Sequence, residues 1–324
     1  GFNDFSGGIA ASGGTLSNLN ALIAARNNAG LGTNPNSVLL VSEDAHSSFV
    51  KCIRVMGLDT SNLVKIKTDN QGRMDINDLR NSLDKCSIEN KKIFAIVATL
   101  GTTVRGAIDP IKEISEICKQ RNIWLHIDGS IGGIFAITSI PIEGLNNINQ
   151  ANSITINPQK IIGITKTSSL LLVSNMSTLE NTFNTGLPYI SSKENIINRG
   201  EIGIQGSRPA EVIKLWLGLR FLGLNGIENI LKSSIKRKDF FIKNISKNKF
   251  DIYSGPLHIV SFLPKKLDPK DSDAWTQTKV NELINNNFML SRPKFKGKYF
   301  LRVVMGNYNT KESHIEELLR LLDA

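Results

Sequence analysis

Apolar and polar positions along this chain switch repeatedly between a strand-like and a helix-like pattern. Val38–Val41 is a short apolar run, Leu63–Lys67 alternates, Ile93–Ala98 is continuously apolar, and Ile123–Ile127 and Ser153–Ile156 follow, so each reads as a strand. Helical stretches separate them: Ser17–Asn28, His46–Met56 closed by Gly57, Asp75–Cys86 with an acidic start, and Pro110–Gln120, where proline suits a first turn. This β-α-β-α rhythm predicts an α/β fold with a mostly parallel central sheet and helices on both faces. After about Ser207 the rhythm changes. Pro209–Leu222 and Ile227–Ile245 read as helices. Asp251–Tyr253, His258–Leu263 and Tyr299–Met305 read as strands, with helices at Ala274–Asn286 and Lys311–Leu322. The expectation is a large domain over residues 1–206 and a helical connection plus a small C-terminal α+β domain over 207–324.

A chain of 324 residues with 40% hydrophobic content can fill both cores. It holds no run of eighteen apolar residues, and GFNDFSGG has neither the basic nor the apolar region of a signal peptide. That start also lacks a methionine and enters a motif almost at once, as a fragment or trimmed chain would. Cys52, Cys86 and Cys118 are odd in number and widely spaced, which suits a reduced, cytoplasmic setting. The net charge of +10 raises nucleic-acid binding. However, the densest basic run, Lys232–Lys249, carries Ile235, Phe240, Phe241 and Ile245 at roughly helical spacing, so its lysines read as the solvated face of an amphipathic helix. No zinc-ligand spacing or basic-zipper pattern accompanies it. Nucleic acid, membrane and metal are therefore not expected partners.

The candidate chemistry lies at strand ends. In SITINPQKIIGITK, Asn157-Pro158 breaks the Ser153–Ile156 strand and Lys160 follows, ringed by Ile161, Ile162 and Ile164. Desolvation there would favour a neutral, nucleophilic amine, although a lysine can also snorkel out of such a patch. Ser12-Gly13-Gly14-Thr15 opens a helix, where backbone N–H groups and a hydroxyl can hold an anion or simply form a turn. Asp128 ends the Ile123–Ile127 strand, on the edge where open α/β sheets bind ligands. His126, on the same face, reads as a satisfied core histidine. Thr102, in Gly101-Thr102-Thr103, and His46, after Glu43-Asp44-Ala45, sit in loops at the same edge. An anion cradle, a carboxylate, an imidazole and a partly buried lysine on one rim form the set that pyridoxal 5′-phosphate needs.

In order along the chain, SGGTLSNLNALIAAR, DAHSSFVKCIRVMGL, DNQGRMDINDL, ATLGTTVRGAIDPI, WLHIDGSIGG, NPQKIIG, IQGSRPAEVIKLWLGLRFLGLNG and YFLRVVMGNYNTKESHIEELL resemble segments of one family. It is the group II pyridoxal-phosphate-dependent amino-acid decarboxylases, which include the glutamate, aromatic-amino-acid, tyrosine and cysteine-sulfinate enzymes. The resemblance implies the fold type I of pyridoxal-phosphate-dependent transferases, a homodimer, and decarboxylation of an L-amino acid to its amine and CO2. It also implies roles: Lys160 as the Schiff-base lysine, Asp128 on the pyridine nitrogen, His46 stacked on the ring, and Gly14 and Thr15 on the phosphate. Thr102, Asn157 and Gln159 would line the cofactor pocket, and Arg302 would bind a substrate carboxylate. Tyr189, in the stretch Gly186–Arg199, would be the proton donor.

Three departures accompany the likeness. Gln159 stands where the family usually has histidine; its amide can donate to a phosphate but cannot titrate. Gly129-Ser130 replaces a more usual Ala-Ala or Ala-Ser pair. A long N-terminal family segment, which helps build the dimer and the substrate pocket, does not precede the SGG motif. The rival expectations are another Schiff-base reaction, such as carbon–carbon lyase or aminotransferase chemistry, and a truncated paralogue that binds cofactor without turnover.

Overall fold

The computed structural model describes residues 2–166, 168–186 and 198–323. Its larger part is built in chain order from β1 (Gly7–Ala11), α1 (Gly14–Asn28), β2 (Ser37–Ser42), α2 (Ser48–Val55), β3 (Leu63–Ile66), α3 (Ile76–Ile88), β4 (Lys92–Thr99), α4 (Ile111–Arg121), β5 (Trp124–Gly129), β6 (Ser153–Ile156), β7 (Ser169–Val173) and α5 (Ser177–Phe183). The strands form one seven-stranded sheet in the order β1-β7-β6-β5-β4-β2-β3. Only β7 runs against its neighbours, so the sheet is mostly parallel as expected.

Alternation along the strands sends side chains to two different cores. Leu40, Ile96, Ala98, Leu125 and Ile127 pack with Leu79 and Leu83 of α3 and Ile114 and Ile117 of α4. Leu39, Val41, Ala95, Val97 and Trp124 pack with Leu19 and Leu22 of α1 and Phe49 and Ile53 of α2. Helices thus cover both faces. Buried parallel strands need apolar residues on both sides, which is why β2 and β4 read as unbroken runs. Asp75 closes the start of α3 by accepting from Asn77 N and Asp78 N.

Two strands escape the periodic reading. β1 (GGIAA) carries two glycines, and β7 (SLLLV) offers only a short apolar run; they pair with each other along their full length. The two helices expected over residues 209–245 form one span, α6 (Glu211–Asn244), broken at Gly223, whose φ of 59° and ψ of 177° glycine adopts readily. Beyond it, β8 (Phe250–Ser254), β9 (Ile259–Pro264), α7 (Ser272–Asn285), the hairpin strands β10 (Lys294–Phe295) and β11 (Lys298–Tyr299), β12 (Leu301–Val304) and α8 (Glu312–Asp323) complete the chain. β12, β9 and β8 form a three-stranded antiparallel sheet over its own core, with Phe241, Phe262, Leu301 and Leu318 among its members. This smaller sheet grips the loop after β4: Arg302 Nη1 donates to Thr103 O, and Ser261 Oγ donates to Val104 O.

Candidate active site

β4, β5 and β6 run parallel in register, so their C-terminal ends form one rim. Thr99, Asp128 and Thr155 stand side by side across it, and Val97, His126 and Ser153 form the next row inward, on the same face, toward α1. Asp128 is buried, at 4% exposure. Its Oδ1 accepts from Ser130 N at 3.1 Å and its Oδ2 from Asn18 Nδ2 at 3.2 Å. Burial alone would raise its pKa, but the Lys160 charge, the Ser130 hydrogen bonds and His126 together hold the carboxyl below its ordinary range.

Lys160 ends a short 3₁₀ turn, Pro158–Lys160, that follows β6. Among the described residues its amine makes no hydrogen bond or ion pair. The residue is exposed overall, but crowding around its amine lowers the pKa, Asp128 partly opposes the shift, and Arg302 adds to it, so the three charges share one region. His46 precedes α2; its Nδ1 accepts from Ser48 N at 3.1 Å, which leaves the other ring nitrogen as the donor of the neutral form. Burial lowers its pKa too, with Lys160 and Lys51 adding and Asp128 opposing. The expected companions Lys160, Asp128 and His46 are therefore brought together.

The SGGT segment meets them at the start of α1. Gly13 has φ of 104°, and a side chain built there would touch nothing within 4 Å. At Gly14 a Cβ would lie 2.6 Å from Asn157 Nδ2 and 2.9 Å from Ser130 Oγ, so only glycine fits. Leu16 N and Ser17 N both turn back to Gly13 O. The N–H groups of Gly14 and Thr15, in the first turn, remain for an anion. Asn157 is buried beside this turn and accepts from Ser169 Oγ at 2.6 Å. Gln159 Oε1 accepts from Ser168 N, which turns its amide nitrogen free for another acceptor.

Other candidates are more committed. Thr102 is fully buried, and its hydroxyl accepts from Ala107 N at 3.0 Å, completing a turn; its O–H remains a donor. Arg302 donates from Nε to Ser291 Oγ at 2.8 Å as well as to Thr103 O, so only part of its guanidinium fork is open. Tyr189 lies outside the described residues. His126 is a satisfied core histidine, bonded to Ser153 Oγ at 2.8 Å and Asn18 Oδ1 at 3.1 Å.

Several site residues give no signal in the sequence pattern. Asn18 reaches Asp128 across 110 positions; its only trace is that Ser17, Asn18 and Asn20 are polar yet buried among the alanines and leucines of α1. His258, just before β9, is buried with Nδ1 unpartnered, and its pKa is pushed down to about 4 by burial, then by Arg237 and Lys160. Thr99 and Thr155, which flank Asp128, each carry a buried hydroxyl without a partner. Gln205 closes over the SGGT loop by donating to Ser12 Oγ at 3.0 Å.

These residues fit a pyridoxal phosphate on observations independent of one another. The carboxylate suits a cationic ring nitrogen, the desolvated amine suits an aldehyde, and the open turn at Gly13 suits a phosphate. Unpartnered hydroxyls beside Asp128 are acceptors and donors that buried groups rarely leave idle. Among the described residues, no group of His, Cys, Asp and Glu could hold a metal ion.

Comparison with known proteins gives the same direction. The family model described as the pyridoxal-dependent decarboxylase conserved domain matches residues 1–262. An aromatic-L-amino-acid decarboxylase of Bacillus atrophaeus is 29% identical over an alignment of 332 residues, covering 99% of this chain and 68% of the relative. The acidic amino acid decarboxylase GADL1 of Xenopus tropicalis is 32% identical over 257 residues, covering 72% of this chain and 50% of that protein. The crystal structure of mouse CSAD superposes with a TM-score of 0.90 at 26% identity, over 100% of this chain and 72% of that one. The crystal structure of Oryza sativa TDC with PLP and tryptamine shares the fold, with a TM-score of 0.91 at 19% identity over 98% and 70%.

Proposed function

Since the chain belongs to the pyridoxal-dependent decarboxylase family, we propose that it removes CO2 from an L-amino acid and releases the amine. The observation that carries this reading is the meeting of Lys160, Asp128 and His46 on one rim, where Asp128 and Lys160 shift each other's pKa and both shift that of His46. Bound pyridoxal phosphate supplies an aldehyde for an amine and an electron sink for the pair left by departing CO2.

The chain's own residues do the rest. Lys160, its pKa lowered by desolvation, is the amine that would meet the aldehyde as nucleophile. Asp128, held ionised, would pair with the cofactor's ring nitrogen and keep it protonated. His46 would supply an imidazole to stack on the ring. Gly14 and Thr15 hold the phosphate from the first turn of α1, with Asn157 and the free amide of Gln159 beside them. The open side of Arg302 is placed to meet a substrate carboxylate, and Thr102 orients the rim loop. Tyr189 is the proposed proton donor.

We further propose a cytoplasmic homodimer with a boundary near residue 206. The three cysteines are free and buried. Ile213, Trp216, Leu217 and Phe221 are exposed at helical spacing on the part of α6 before the Gly223 break. A patch of that kind marks an interaction surface. Sedimentation tests the dimer: a monomer at micromolar concentration rejects it. No helix among the described residues is long and apolar enough to cross a membrane.

The activity is tested by incubating the protein with pyridoxal phosphate and single L-amino acids, cysteine sulfinate and diaminobutyrate included. CO2 with an equal amount of amine supports the reading. An aldehyde or a keto acid as the product transfers the site to a different reaction, and no product from any substrate favours a non-catalytic role.

A further inference from the structure

We propose that Asn18 and His126 are positioning residues that lock the Asp128 carboxylate in place, through a one-way chain of hydrogen bonds that begins at the Trp124 indole. The proposal rests on the reading above, in which Asp128 faces a cationic ring nitrogen.

The direction of the chain follows from donor counts. An indole N–H can only donate. Ser153 Oγ therefore accepts from Trp124 Nε1, at 2.8 Å. Ser153 Oγ lies 2.8 Å from His126 Nδ1 and can give or take a proton there. Asp128 decides, because its Oδ2 only accepts. Asn18 therefore turns its NH2 to the carboxylate and its Oδ1 to His126 Nε2, which must carry the ring proton and leave Nδ1 to accept from the serine. A ring nitrogen that accepts is bare, so the neutral imidazole carries its proton on Nε2. Burial keeps His126 neutral, pushing its pKa down to about 4. Nε2–H then donates to Asn18 Oδ1 at 3.1 Å. With its oxygen taken, the Asn18 amide has a single orientation. Its NH2 group faces Ser48 Oγ at 3.3 Å and Asp128 Oδ2 at 3.2 Å.

Every member of this chain is buried. A flipped Asn18 would set its oxygen against a carboxylate and its NH2 against the Nε2–H, two repulsive contacts with no water to relieve them. Asp128 is consequently held at both oxygens, by Asn18 on one and Ser130 N on the other. The carboxylate plane is fixed before any ligand arrives, which is the preorganisation that electrostatic catalysis requires.

The test uses the whole protein loaded with pyridoxal phosphate labelled with ¹⁵N in the ring, whose NMR shift reports whether the ring nitrogen is protonated. Wild type should show a protonated nitrogen. Asn18→Leu removes the donor to Asp128 and should move the shift toward the neutral value and weaken cofactor binding about ten-fold or more. Ser153→Ala touches neither Asp128 nor the cofactor; it should move the shift in the same direction by a smaller amount. Circular dichroism checks that both fold. A purely structural role would lower Tm and leave the shift unchanged, which overturns the proposal. If Asn18→Leu does not fold, Ser153→Ala decides alone, and a wild-type shift there overturns it. A neutral nitrogen in wild type instead overturns the assignment of Asp128 itself, and the proposal with it.

Discussion

Two neighbouring rows of residues cross β4, β5 and β6 on the face toward α1, and they are built on opposite principles. The inner row, Val97, His126 and Ser153, is closed: the histidine and the serine spend their polar atoms on each other, on Trp124 and on Asn18. The outer row, Thr99, Asp128 and Thr155, is one residue pair nearer the rim. Both of its threonine hydroxyls are buried without a partner, and the Lys160 amine nearby makes no hydrogen bond or ion pair among the described residues. Buried polar groups are expensive to leave unpaired. The contrast marks where the scaffold ends and the site begins: saturation gives rigidity to the first row, and unsatisfied capacity makes the second available to a ligand.

The largest effect should come from the outer row. Asp128→Ala removes the carboxylate that would pair with the cofactor's ring nitrogen, and losing one partner of a buried pair typically costs roughly 3–5 kcal/mol. Turnover should fall by roughly two to four orders of magnitude, on the order of that cost; a variant retaining most of its turnover removes the carboxylate from the site.

Next in size is the pH dependence of stability. His126 and His258 are both held neutral by burial, with pKa values pushed from 6.5 down to about 4. Unfolded imidazoles take up protons below 6.5 while the folded ones do not, so the stability they contribute is complete above that pH. It is lost as pH falls toward 4, at about 1.4 kcal/mol per pH unit for each histidine. Asp109, pushed up to about 7 by burial, acts in the opposite sense over much of this window. The informative quantity is thus the difference between wild type and His258→Gln, measured by urea unfolding at pH 7, 5.5 and 4.5. The acid-side loss should be smaller in the variant; equal losses show that His258 is not held neutral.

Smaller changes separate the rows from each other. Ser153→Ala strands the Trp124 N–H and the His126 nitrogen, and should destabilise the protein by about 1–3 kcal/mol. Thr155→Val removes a hydroxyl that has no partner among the described residues, so its cost should be below about 0.5 kcal/mol or reversed. Urea unfolding of the two variants without cofactor checks this, and equal costs would erase the distinction between closed and open rows.

Much of this arrangement could be read from the chain before its structure. Strands that are buried on both faces advertise themselves as apolar runs, and residues just past their ends must share a rim; Lys160, Asp128 and His46 were legible for that reason. β1 and β7 were not, because glycine and a three-leucine run carry no period. Contacts across long separations leave still less trace. Asn18 meets Asp128, and Arg302 meets Thr103 O, through the way the sheet and helices stack, which no local spacing encodes. Thr102 was legible as a rim residue, but its acceptor bond to Ala107 N depends on the turn that follows β4.

One measurement reaches the central claim directly: treat the cofactor-loaded protein with borohydride, digest it, and map the phosphopyridoxyl label by mass spectrometry. The label should sit on Lys160, and Lys160→Ala should carry none. A label on any other lysine, or none in wild type, would contradict the account.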